Sequence, residues 1–171
     1  MNYVIDGDTN FMGIVNADRY TSFVDSDWDL DMLRQHVAEE MKKGNVIVWQ
    51  LTSEGVEVDW RVNVGIGQDP ETDGGYRESE SYICVTNNEL HIVNYDCLTM
   101  SAQFQDHLLP DEDCKIWRIQ LDNGIYKVRI IQFYNVDQNE HLGKTDVDLR
   151  IEFQTAAEFK SLHNDFIWAD L

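Results

Sequence analysis

Leu30, Leu33, Val37 and Met41 recur three and four residues apart, a spacing that places them on one face of a helix. Ser26-Asp27-Trp28-Asp29 reads as a capping box with Asp in place of Glu, and Asp29 and Asp31 stand where the helix dipole favours anions. Lys42 and Lys43 close the last turn, and Gly44 is placed just beyond it. From Asn45 the period shortens to two. Val46 to Leu51 is nearly continuous apolar sequence and predicts a buried strand. Val56, Val58, Trp60, Val62 and Val64 alternate with Glu57, Asp59, Arg61 and Asn63, which predicts a strand with one dry and one wet face. Gly65 to Gly75 holds four glycines and Pro70 and predicts a loop. Strands are expected at Ser79–Thr86 and Glu89–Leu98 around an Asn87-Asn88 turn. Two more, Lys115–Leu121 and Ile125–Tyr134, flank Asp122-Asn123-Gly124. Val147, Leu149, Ile151 and Phe153 alternate with acidic and basic residues as a last two-faced strand, and Thr155 to Glu158 reads as the start of a short helix near Ala156–His163.

These elements predict a mainly β (α+β) fold, an antiparallel β-sandwich with one flanking N-terminal helix and a short C-terminal helix. With 171 residues and no repeat, Pro-rich linker or low-complexity run, residues 1–171 are expected to form a single domain.

Charge changes the picture most. Thirteen Lys and Arg against 32 Asp and Glu leave a net charge of −19. Spread over the surface expected for this mass, that is roughly one net negative charge per 450 Å². Such a surface repels nucleic-acid phosphates and anionic membranes, and no apolar run approaches the ~20 residues of a spanning helix. Met1 to Asp6 carries no basic region and leads into no apolar signal core. A cytoplasmic protein with a basic partner, or with none, is the expectation. Cys84, Cys97 and Cys114 are odd in number, spaced 13 and 17 apart, and include no C-x-x-C pair. They are expected to be free thiols that serve as small apolar fillers.

Few motifs point to chemistry. Asp25, Asp27, Asp29 and Asp31 alternate like the start of a calcium loop, but its required Gly and Glu positions hold Leu30 and His36. Asp6 to Asn10 begins similarly, yet Phe11 stands where that Gly belongs. His36, His91, His107, His141 and His163 form no zinc pair, and His91 shares a strand face with Val93 and Tyr95, as a core imidazole would. No nucleophile elbow or phosphate-cradling loop is present, and no helical pattern follows Gly65-Ile66-Gly67. No cofactor and no metal are therefore expected. Trp60 and Trp117 fall on dry strand faces, whereas Trp28 and Trp168 are free to line a glycan-binding face.

Acid clusters stand out instead. The first 31 residues hold seven Asp against Arg19 alone. The glycine-rich loop adds Asp69, Glu71 and Asp73, the next strand adds Glu78 and Glu80 around Arg77, and Asp106, Asp111, Glu112 and Asp113 precede Cys114. Any single cluster reads as a solvated face. Together they exceed the ~2–8 net charges that keep a small domain soluble, at the cost of self-repulsion. A basic partner would offset that repulsion and gain a steered association rate. Asp69, Glu71, Asp73, Glu78, Glu80, Asp111, Glu112 and Asp113 are the candidate partner-binding residues.

The order of features also resembles a known family. The helix from Trp28 to Gly44, then Val46–Trp49, then Tyr82–Ile92, then Ile116–Tyr126 is similar to the competence protein J family, small acidic bacterial inhibitors of a DNA-entry nuclease. The likeness spans roughly residues 20–134, and the stretches Gly65–Gly75 and Gln103–Asp113 depart from it. The resemblance implies an acidic inhibitor or immunity-type protein that occludes the active cleft of a nuclease or other toxin. The alternative from another class is a small β-sandwich enzyme or glycan-binding module.

Overall fold

The structure, a computed structural model, describes residues 1–52, 58–67 and 74–169. Along them run β1 (Asn2–Ile5), β2 (Phe11–Val15), α1 (Leu30–Lys42), β3 (Val46–Gln50), β4 (Trp60–Ile66), β5 (Arg77–Val85) and β6 (Glu89–Val93). There follow α2 (Tyr95–Gln103), a 3-10 turn at Cys114–Ile116, β7 (Arg118–Gln120), β8 (Gly124–Gln132), β9 (Tyr134–Asn135), β10 (Glu140–His141) and β11 (Leu149–Ala156). The fold is mixed α+β. A five-stranded sheet has the order β1-β4-β11-β8-β5, a four-stranded sheet the order β3-β2-β6-β7, and β9 and β10 form a small hairpin. No closed barrel forms among the described residues.

The two larger sheets share one hydrophobic cluster. Trp60, Val62, Ile83, Val128, Ile151 and Phe153 enter it from the five-stranded sheet, and Met12, Ile14, Ile47, Trp49, Leu90 and Ile92 from the other. Burying a side chain of this size stabilises by about 1.5–3 kcal/mol. The expected core positions Trp60 and Trp117 are both buried. β2 is buried along its whole length because it lies between β3 and β6.

Helix α1 packs Leu33, Val37 and Met41 inward, against β3, while Leu30 stays exposed. Asp29 caps it, its Oδ1 accepting the Met32 N–H at 2.8 Å. Gly44 ends it with φ +74°, and a Cβ there would stand 2.6 Å from the Phe159 ring.

Several expectations need correction. The large sheet is not purely antiparallel, since β11 pairs parallel with β4 while pairing antiparallel with β8. β11 thereby takes a place between two strands, which explains why even Arg150 and Glu152 are buried. The strand expected over Glu89–Leu98 stops at Val93, because Asn94 Oδ1 accepts the Cys97 N–H at 3.0 Å and starts α2. No C-terminal helix forms over Ala156–His163. Thr155 and Ala156 instead pair with Tyr126 and Ile125, so the supposed capping box lies in a strand. β1 and β2, too short and too flanked by polar residues to register as periodic runs, precede the first expected element. Finally, Cys97 and Cys114 form a disulfide, and only Cys84 is a free thiol. Their spacing of 17 carries no hint of this; the first turn of α2 and the 3-10 turn bring them together.

Candidate functional site

Of the candidate partner-binding residues, Asp69, Glu71 and Asp73 lie outside the described residues. Glu78 and Glu80 project from β5, and both are held in the sheet: Glu78 by Arg129 at 2.5 Å and Glu80 by Lys127 at 2.6 Å. Glu112 and Asp113 are exposed, Glu112 in an ion pair with Lys115. Asp111 turns inward. Its Oδ1 accepts the backbone N–H groups of Asp113 at 3.1 Å and Cys114 at 2.9 Å, which fixes the bend before the 3-10 turn.

Around Asp111 three segments meet. Asp6 and Gly7 from the β1–β2 turn, Asn94, Asp96 and Cys97 from the start of α2, and Asp111, Glu112, Asp113, Ile116 and Trp117 line a cavity of ≈ 400 Å³. Asn94 Nδ2 donates to the Asp6 carbonyl at 3.0 Å, and Asp96 Oδ2 accepts the Asp8 N–H at 3.3 Å. Gly7 has φ +85°, and a Cβ there would stand 2.9 Å from Asn94 Nδ2, so the approach of these segments requires glycine. The disulfide ties α2 to the third segment. Five carboxylates thus converge, and none of the described residues lining the cavity is Lys or Arg. Ile116, 73% exposed, adds apolar surface, and the chain leading to this wall exposes Phe104 and Leu108 as well.

Sequence reading found the third of these segments and missed Asp6 and Asp96 as its companions. Asp6 belonged to the N-terminal acid run, but nothing in the sequence shows that the β1–β2 turn faces α2. Asp96 was hidden by the strand expected through Leu98.

Other sites are committed elsewhere. A cavity of ≈ 600 Å³ is lined by Tyr3, Arg61, Asn63, Lys144, Asp146 and Arg150 among others. Arg61 reaches Asp148 through Nη2 at 2.6 Å and Nε at 2.9 Å, its backbone N–H adds a contact at 2.8 Å, and His141 Nε2 lies 2.9 Å away. Burial pushes the Asp148 carboxyl up, but these hydrogen bonds outweigh it and hold the group below the usual carboxylate range. His91 is buried, and burial lowers its pKa, as a core imidazole requires. Trp168 stacks beneath the Arg77 guanidinium at 4.4 Å, and Trp28 lines a ≈ 420 Å³ cavity with Phe11, Tyr95 and Phe166.

No protein-family model and no curated protein matches the chain in sequence. Solved structures do match in shape. One, titled crocagin biosynthetic gene J, has a TM-score of 0.58 at 11% identity, covering 90% of this chain and 95% of that one. Another is ComJ from Bacillus subtilis, described as an inhibitor of the DNA degrading activity of NucA, with a TM-score of 0.52 at 11% identity, covering 91% of this chain and 96% of that one. At that identity the likeness is one of fold. The chain resembles ComJ in fold across nearly its whole length, well beyond the residues 20–134 that carried the resemblance in sequence.

Proposed function

We propose that this chain is an acidic, non-enzymatic inhibitor of the immunity type, which neutralises a basic nuclease or other bacterial toxin in the cytoplasm by occluding its active cleft. The observation that carries this reading is the convergence of Asp6, Asp96, Asp111, Glu112 and Asp113 on one cavity beside exposed Ile116. Sharing a fold with ComJ, an inhibitor of a DNA-degrading activity, supports it.

The physics is competition with a polyanion. A nuclease cleft holds phosphates with Lys and Arg, and carboxylates placed on a rigid frame take the same cations. Exposed apolar residues such as Ile116 then exclude water around those pairs, which is where binding energy concentrates. The two larger sheets, as the layers of a sandwich, supply the frame. Asp69, Glu71 and Asp73 stay partner-binding candidates in this reading, whereas Glu78, Glu80 and Glu112 contribute less because Arg129, Lys127 and Lys115 already hold them.

Capture with tagged chain from its native host, followed by a DNA-degradation assay of the captured protein, tests the proposal. The expected result is a basic protein whose activity one equivalent of this chain suppresses. An acidic partner, or a basic one whose activity is unchanged by excess chain, contradicts it.

A further inference from the structure

Cys97 lines the acidic cavity, and its partner Cys114 is fully buried. Both sulfurs and a carboxylate oxygen of Asp111 lie within 4.8 Å of one another. Asp111 Oδ1 is 3.1 Å from Cys97 Sγ. The backbone N–H groups of Asp113 and Cys114 hold that oxygen in place, so a carboxylate stands beside the two sulfurs whether the disulfide is closed or open; in the reduced pair, a shared proton or a cation can bridge oxygen and sulfur. The other oxygen, Oδ2, faces His107 Nε2 at 3.8 Å, and that nitrogen is buried with no hydrogen-bond partner among the described residues.

We propose that the reduced chain binds a thiophilic divalent cation, zinc foremost, through Cys97, Cys114 and Asp111, with a water from the cavity in the fourth position. Tetrahedral zinc with bonds of about 2.3 Å to sulfur needs its sulfurs roughly 3.8 Å apart. Side-chain rotation of two cysteines already facing each other provides that separation. His107 closes on the free oxygen of Asp111 and orients the carboxylate, as groups behind a metal ligand commonly do. Asp6, Asp96, Glu112 and Asp113 raise the cation concentration at the entrance. A cellular dithiol supplies the reduction by exchange: it gives two electrons and two protons, ends as a disulfide itself, and leaves two thiols here. Metal binding releases those two protons and leaves thiolate ligands. This site stands independently of any basic partner.

The test titrates the chain with Co²⁺ and Zn²⁺, once oxidised and once reduced by a phosphine, which leaves as its oxide. The reduced chain should take up one equivalent of Co²⁺ with sulfur-to-cobalt charge-transfer absorption, displaced by Zn²⁺, while the oxidised chain shows no such absorption. Cys97→Ser and Cys114→Ser should each abolish the absorption, and Asp111→Asn should weaken binding about tenfold or more. Circular dichroism checks that the variants fold; where one does not, the comparison of reduced with oxidised wild type decides. Equal binding in both oxidation states, or Ser variants that bind like wild type, would assign the metal to surface carboxylates and overturn the proposal.

Discussion

Glu80 on β5 and Lys127 on β8 meet at 2.6 Å on the polar side of the five-stranded sheet, and Arg129 bridges Glu78 and Glu152 beside them. That face is therefore laced with opposite charges, whereas the cavity between the β1–β2 turn and α2 is lined by five carboxylates, of which Glu112 has a Lys partner, Lys115. Glu78→Lys combined with Glu80→Lys should cost up to about 1 kcal/mol per exposed pair in urea unfolding and leave partner association nearly unchanged. A large loss of association rate would place the interface on the sheet instead.

Asp148 anchors the far end of the same sheet through Arg61 and His141. Its folded pKa is depressed, so its contribution to stability is complete above the unfolded value of about 3.9 and is lost as pH falls through the lower folded value. Asp148→Asn should cost about 1–2 kcal/mol at neutral pH, because the charge-assisted hydrogen bonds to the buried carboxylate weaken while the half-exposed guanidinium keeps its solvent. The same variant should lose less further stability on acidification than wild type. Urea titrations at neutral and acid pH check both; parallel acid losses in the two proteins would contradict the assignment.

Reduction should matter even without metal. The Cys97–Cys114 bond closes a loop of sequence separation 17, a size for which restricting the unfolded chain is worth about 3 kcal/mol. Thermal melts with and without a phosphine reductant should differ accordingly, and Cys84→Ser should leave both curves in place.

Ends of α1 give a graded pair of changes. Asp29→Ala removes a single capping bond and should cost about 1 kcal/mol. Gly44→Ala should cost more, since it strains a backbone at φ +74° and drives a methyl group into Phe159. Equal melting points for the two variants would show that Phe159 yields without penalty.

The parts of this fold visible in the sequence are those whose signal is local. Leu33, Val37 and Met41 repeat with the helix, and Trp60 and Val62 with the strand, so their burial could be read off. Asn94 defeats that reading because one side-chain hydrogen bond converts an alternating stretch into α2. Thr155 defeats it in the opposite sense: pairing with β8 overrides a capping signature. The acidic cavity was half visible. Asp111, Glu112 and Asp113 cluster in sequence, but Asp6 and Asp96 join them through bonds such as that of Asn94 to the Asp6 carbonyl and of the Asp8 N–H to Asp96, each spanning 88 residues of chain. The disulfide shares that non-local origin.

Association kinetics with the captured basic partner, followed by stopped flow from low to physiological ionic strength, test the central claim most directly. Asp96→Lys, Glu112→Lys and Asp113→Lys together should slow association about tenfold or more, change dissociation less, and flatten the salt dependence, because steering falls with the charge that supplies it. Relief of self-repulsion offsets the loss of the Asp96 bond to the Asp8 N–H and of the Glu112–Lys115 pair, so the variant's melting temperature should fall by only a few degrees. Association as fast and as salt-sensitive as wild type, in a folded triple variant, would show that the cavity is not where the partner binds.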